Sequence, residues 1–166
     1  LRCNFLILNY PVCAHPCAAG ALKKGGQAEQ CLGRSRGGFS TKIHLLVDGL
    51  GYSKRIRLTA GQRHDILKAP DLIAGLKFER LISDRSYSSF AFVAQIIENG
   101  IEVVIPSHPR ENEPRDYDEW LYRERHLVEC CINKMKHFRR VFSRFDKLAT
   151  SFLGFLHFVS ILIWLR

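Results

Sequence analysis

The segment that most limits the possible folds is Phe39 to Thr59. Two β-rich runs, Phe39 to Val47 and Lys54 to Thr59, flank Asp48-Gly49-Leu50-Gly51, and a Gly-containing turn between such runs makes a hairpin. Asp48 reads as a turn residue. Upstream, Asn4 to Leu8 is a short apolar run suited to a buried strand, followed by Pro11 and a small-residue loop, Ala14 to Ala21. Lys23 to Arg36, rich in Gly and basic residues, reads as a flexible positive connection. Downstream, Asp65 precedes Ile66, Leu67, Leu72 and Ile73 at helical spacing, which predicts an N-cap and a helix to about Leu76.

Glu79 to Ser83 reads as a strand, Ser88 to Asn99 as a helix stopped by Gly100, and Ile101 to Ile105 as a strand ended by Pro106. Ser107 to Asp118 is a charged loop. Trp120 to Arg140 has a helical pattern, with Leu121, Val128, Cys131, Ile132, Met135 and Phe138 on one side. Leu148 to Trp164 is a second helix, apolar nearly all round and therefore expected to be buried. Three leading strands followed by alternating helices and strands predict an α/β fold, a mixed sheet with helices on both faces. That order is ribonuclease H-like.

A length of 166 residues suits a single domain. The composition, 46% hydrophobic and 25% charged, excludes a disordered tail or a fibrous repeat. The net charge of +9 favours a polyanionic partner, nucleic acid ahead of membrane. The longest apolar stretch, Phe152 to Leu165, would span only about 21 Å as a helix, which is too short for a bilayer. The short apolar run Phe5 to Leu8 lacks the length and small-residue cleavage site of a secretory signal, so a cytoplasmic, nucleoid-associated location is expected. The chain begins Leu1-Arg2-Cys3 without Met, and is expected to be an N-terminally truncated copy of something longer. Cys13, His15, Cys17 and Cys31 could converge on zinc, but no paired Cys-x-x-Cys spacing supports them, and free thiols are the expectation.

The chemistry concentrates in Tyr122, Arg125, Glu129 and Lys136. Offsets of three, seven and fourteen place these side chains within roughly 60° on one helix. A solvated face would account for charges there. A carboxylate flanked by an aromatic hydroxyl and two cations also suits a metal ligand, Glu129, with Arg125 and Lys136 on phosphates. Asp84 follows the strand Glu79 to Ser83, where α/β proteins present ligand-contacting groups, although an Asp there also caps turns.

These residues carry a family likeness. Asp84-Arg85-Ser86-Tyr87, the Tyr122, Arg125, Glu129, Lys136 signature, Gly33-Arg34-Ser35-Arg36-Gly37-Gly38-Phe39-Ser40-Thr41-Lys42, and Thr59-Ala60-Gly61-Gln62-Arg63-His64-Asp65 resemble the DDE transposases of bacterial insertion sequences. The likeness runs from about residue 9 to Arg166. It implies a ribonuclease H-like core in which two Asp and one Glu hold two divalent cations, Mg²⁺ or Mn²⁺, for DNA strand cleavage and transfer. Carried onto this chain, it makes Asp84 and Glu129 catalytic metal ligands and gives Tyr122, Arg125 and Lys136 to DNA, with Arg139 and Arg140 beside them. The first Asp has no counterpart. Asn9 best occupies its position, allowing one deleted residue before His15, although an ungapped match would put Leu8 there; the first acidic residue of the chain is Glu29.

The resemblance also implies an N-terminal region that helps bind element ends, which this chain, read as a truncated copy, is expected to lack. The expected partners are element-end and target DNA, with several copies assembling on DNA and no membrane. Two functions follow: a transposase whose two-metal site is incomplete, so that its chemistry is impaired, or a catalytically dead basic DNA-binding remnant. For the second, Lys23, Lys24, Arg34, Arg36 and the run from Lys134 to Lys147 supply the charge. An RNA-cleaving ribonuclease of the same fold fits the helix signature less well.

Overall fold

The first strand, β1 (Asn4–Cys13), is twice the length of the apolar run that predicts it. In the computed structural model, which describes residues 4–19, 26–35, 37–109 and 114–166, it is the central strand of a mixed sheet. Two short helical turns follow, α1 (Pro16–Ala19) and α2 (Gly26–Glu29), then β2 (Gly33–Ser35), β3 (Gly38–Asp48) and β4 (Ser53–Ala60). Of the predicted flexible connection Lys23 to Arg36, residues 23–25 and 36 lie outside the described residues, and the rest is not a plain connection, since it forms α2 and the strand β2 paired with β3.

The predicted hairpin forms between β3 and β4. Its turn is closed by the Asp48 carboxylate, which accepts from the backbone N–H of Leu50 and Tyr52, both at 3.0 Å, and pairs with Lys54 at 3.0 Å. Gly61 ends β4 so close to β3 that a Cβ on it would lie 1.9 Å from Ser40 Oγ. Next come α3 (Ala69–Ile73), β5 (Arg80–Ser83), α4 (Phe90–Glu98) and β6 (Glu102–Val104). The last part of the chain is helical: α5 (Glu119–Arg123), α6 (His126–Lys136), α7 (Arg139–Phe142) and α8 (Ala149–Trp164).

β3 pairs antiparallel with β1 and, on its other side, with β4 and the short β2; β1 pairs parallel with β5, and β5 with β6. The sheet therefore runs β4-β3-β1-β5-β6 with only β3 reversed. This is the mixed, ribonuclease H-like arrangement expected from the order of elements.

Strand alternation sorts the side chains into two cores. Leu6, Ile43, Leu45, Val47, Ile56 and Ile82 pack against Val128, Ile132 and Met135 of α6 and Phe152, Leu156 and Val159 of α8. Phe5, Ile7, Leu46, Leu81 and Val103 pack on the opposite face against Leu72 of α3, Tyr87, and Val93 and Ile96 of α4. At ~2 kcal/mol for each large aliphatic side chain fully buried, these two layers are the main force holding helices to both faces.

Three of the predicted helices differ from expectation. Asp65 caps nothing. His64 occupies the N-cap of a 3-10 turn, Asp65–Lys68, while the Asp65 carboxylate takes the Lys42 ammonium at 2.7 Å. Pro70 then forces a fresh start for α3, because it has no N–H for the preceding turn and its ring would meet the carbonyl four residues back.

The predicted helix Trp120 to Arg140 is three helices. Between α5 and α6 the bonds tighten to i→i−3, from Glu124 N–H to Leu121 O (3.0 Å) and Arg125 N–H to Tyr122 O (3.0 Å). Before α7, Phe138 is extended. Finally, α8 is not buried all round. Phe152, Leu156 and Val159 face the core, whereas Phe158, Ile161 and Trp164 are about half exposed, since the sheet covers one side of α8 only.

Candidate active site

The polar stripe predicted on one helix survives the break between α5 and α6. Glu124 and Arg125 keep right-handed helical dihedrals, so the chain tightens without changing course. Arg125 Nη1 lies 2.7 Å from Glu129 Oε1, and its guanidinium sits 5.8 Å from the Tyr122 ring centre, which in turn meets Tyr117 edge-on. Lys136, two turns further, rests its ammonium 4.2 Å above the Tyr10 ring.

Two contacts orient α6 on the sheet. Asn4 Nδ2 donates to Glu124 Oε2 at 3.0 Å just before α6, and Lys136 covers Tyr10 at its end. The helix therefore runs along β1 in the same direction, with Glu129 beside the middle of the strand. Cys131 borders Ser53 of the hairpin, and Lys134 shares a cleft with Tyr52. At about 100° per residue Glu129 lies roughly 160° around the helix from Cys131. The stripe is thus on the flank turned away from the hairpin, toward β5.

Asp84 leaves the end of β5 on that side. Its Oδ1 accepts from Ser86 N–H at 2.9 Å and from the Ser86 hydroxyl, capping the 3-10 turn Arg85–Tyr87, so the turn-capping role and the edge position both hold. Oδ2 has no partner among the described residues. Tyr87 anchors the turn from beneath with a fully buried ring.

The register identifies the neighbour of Asp84. Ile7 pairs with Ser83 in the parallel β1–β5 ladder, so the next step along both strands brings Leu8 beside Asp84. Leu8 packs on the α6 face with Leu6 and Ile82, which share its parity. Asn9, expected at the first-Asp position, has the parity of Phe5 and Ile7 and belongs to the other face. There it stands opposite His44 on β3 and beside the Tyr87 hydroxyl, close enough to favour the ionised phenol but short of hydrogen-bond geometry.

A buried polar cluster surrounds Asn9 that the sequence reading did not single out. His44 has no exposed surface, and its Nε2 is 2.8 Å from Thr59 Oγ1. Burial pushes its imidazole down to about 4 against the opposing pull of Asp65. Burial, reinforced by the charge of Asp65, raises the Tyr87 phenol well above its ordinary value. His44 Nδ1 and the Tyr87 hydroxyl are both buried without a hydrogen-bond partner. The sequence signal for this cluster was the alternation of Lys42 and His44 with Ile43 and Leu45.

Arg139 stacks 5.4 Å from the Phe145 ring, and Arg140 covers Phe155 at 4.9 Å while pairing with Asp146. His15 Nδ1 and Cys17 Sγ touch at 3.2 Å, whereas Cys31 donates to the Leu58 carbonyl, so the four conceivable zinc ligands do not converge. No group of three or more His, Cys, Asp or Glu able to hold a metal ion occurs among the described residues. The residues present do not fit a centre for two divalent cations: Asp84 and Glu129 supply two carboxylates, and the β1 residue beside Asp84 on that face is the apolar Leu8.

Residues 23–146 match the family model described as the transposase DDE domain. A curated protein of Brucella ovis, named as a transposase for insertion sequence element IS6501, is 36% identical over 132 residues, covering 77% of this chain and 100% of that protein. Among solved structures, the piggyBac transposase synaptic complex with hairpin DNA is similar at a TM-score of 0.44 and 10% identity, over 66% of this chain and 24% of that one.

Proposed function

The chain belongs to the transposase DDE domain family, and from that premise we propose that it acts on DNA in insertion-sequence transposition with its strand-cleavage chemistry impaired by a leucine where the first carboxylate belongs. The observation that carries this reading is the β1–β5 register. It sets Leu8, not Asn9, next to Asp84 and on the face of the Glu129 helix.

A carboxylate at that place would be shared by both cations, and two divalent ions about 4 Å apart repel one another unless several carboxylates converge on them. Leu8 brings neither charge nor a ligand oxygen. Asp84 and Glu129 would be left to hold at most one hydrated Mg²⁺ or Mn²⁺ through water. Arg125 holds the Glu129 carboxylate in place, and Arg125 and Lys136, with Arg139 and Arg140 beyond, present cations for phosphates. The DNA is that of element ends and target, with several copies assembling on it. Under this reading the chain keeps the DNA contacts of its family and lacks the strand-transfer step. The alternative, a basic DNA-binding remnant with no chemistry at all, differs only in whether one metal suffices for slow nicking.

The test is nicking of supercoiled plasmid in Mg²⁺ or Mn²⁺. The chain as it stands should give no strand transfer. Leu8→Asp should gain metal-dependent nicking that Glu129→Ala abolishes, whereas Asn9→Asp should gain none. Leu8→Asn, of similar shape but without charge, controls for the lost apolar packing. A gain from Asn9→Asp with a folded but inactive Leu8→Asp would overturn the assignment.

A further inference from the structure

The flank of α6 opposite the Glu129 stripe borders a cleft of about 690 Å³, lined by Tyr52, Lys134, His137, Phe138, Ile163 and Arg166. Its composition is one-sided: two permanent cations and an imidazole, three apolar or aromatic walls, and no carboxylate side chain. Lys134, His137 and Arg166 are exposed, and none forms an ion pair among the described residues. Cations in the last turn of a helix are favoured by its dipole, which would account for Lys134 and His137 alone. Arg166 comes from beyond the end of a different helix, α8, and converges on the same space. The hairpin adds the aromatic wall, Tyr52, whose ring lies 5.3 Å from Trp164; Lys54 covers the Trp164 ring at 4.2 Å.

Apolar walls lower the local dielectric and focus the field of such cations on a bound anion. An elongated polyanion satisfies the whole cleft better than a small one, because the cations are spread over the ends of two helices. Aromatic faces beside cations are also the usual elements of single-strand nucleic-acid contacts. We propose that this cleft is a second nucleic-acid contact, holding the phosphate backbone of a DNA strand on the side of α6 away from the candidate active site. The proposal rests on the reading of the chain as a DNA-binding transposase domain and adds a separate surface to it.

Trp164 lies behind the Tyr52 wall, in ring contact with it, and so reports on the cleft through Tyr52. In a Trp120→Phe background, which leaves it the chain's one tryptophan, a single-stranded oligonucleotide should change its fluorescence, and Lys134→Glu should remove that change. Lys134→Glu should also lower the log–log salt slope of oligonucleotide binding, measured by anisotropy, by about 0.7, one phosphate contact on a single strand. Lys77→Glu, the same charge change at an exposed site outside both surfaces, should do neither. Arg139→Ala with Arg140→Ala tests the other surface. If that pair weakens binding while Lys134→Glu behaves like Lys77→Glu, the cleft proposal fails and the DNA-binding reading stands. If neither surface matters, the reading itself fails. If polyglutamate reproduces the Trp164 response at equal charge concentration, the cleft takes acidic peptide and the nucleic-acid assignment is overturned.

Discussion

At the scale of single residues, parity within a strand decides more than identity. Leu8 and Asn9 are adjacent, yet one faces α6 and the other faces His44 and Tyr87, so only one shares the face on which Asp84 follows β5. His44 has its own consequence. Its imidazole titrates near 6.5 in the unfolded chain and near 4 when folded, so the unfolded state binds more protons between these values. The folded state therefore loses stability as pH falls from about 6.5 toward 4, by roughly 3 kcal/mol in all, and none of this loss applies above about pH 7. Urea unfolding across that window should show the loss, and His44→Gln, which does not titrate, should flatten it. An equal pH dependence in the variant would assign the effect to other groups.

At the scale of elements, the segments that resemble the family turn out to bind one another. Within Gly33–Lys42 and Thr59–Asp65, Ser40 meets Gly61, Lys42 pairs with Asp65, and His44, two residues on, bonds to Thr59. Arg144 ties the end of this arrangement. Its guanidinium is fully buried and donates to Thr41 Oγ1 (2.6 Å) and to the carbonyls of Gln30 (2.8 Å), Asp146 (2.9 Å) and Lys147 (3.2 Å). It clamps the segment between α7 and α8 onto β3 and the α2 turn. Arg144→Met would keep the packing against Phe152 but leave those acceptors unpaired, at a cost of about 3 kcal/mol or more. Arg144→Lys should recover little, since one ammonium cannot reach four acceptors that a planar fork serves. A thermal melt of the three proteins checks both expectations; a lysine variant as stable as the parent would show that charge rather than fork geometry matters.

At the scale of the whole molecule, the charge of +9 favours a polyanion, which under the proposed function is DNA. Cations stand on both flanks of α6 and on α7, so binding should be electrostatic, with affinity falling by about 0.9 log units per decade of salt for each duplex phosphate neutralised. Arg139→Ala with Arg140→Ala should reduce that slope on duplex DNA by nearly two such contacts. An unchanged slope would make this stretch a solvated face. No helix among the described residues is long and apolar enough to cross a membrane, and the half-exposed apolar flank of α8 belongs to a helix packed on β4 and α6.

The sequence by itself determined the fold class, because alternating apolar runs and a Gly-containing turn are local patterns that encode strands, helices and the hairpin directly. It also determined the stripe Tyr122, Arg125, Glu129 and Lys136, whose spacing survived a break in the helix that only the backbone bonds around Glu124 reveal. Whether Leu8 or Asn9 stands at the first carboxylate position was not legible from one strand, since a one-residue shift reverses every side chain. The pairing of Ile7 with Ser83, between residues 76 positions apart, puts Leu8 beside Asp84 and leaves Asn9 on the other face. Asp65 and α8 were misread for the same reason. A carboxylate beside a helix start looks like a cap until Lys42 from another strand takes it, and an apolar helix looks buried until the sheet covers only one of its sides. These choices depend on which distant surface packs against each residue, and that is set by the tertiary structure.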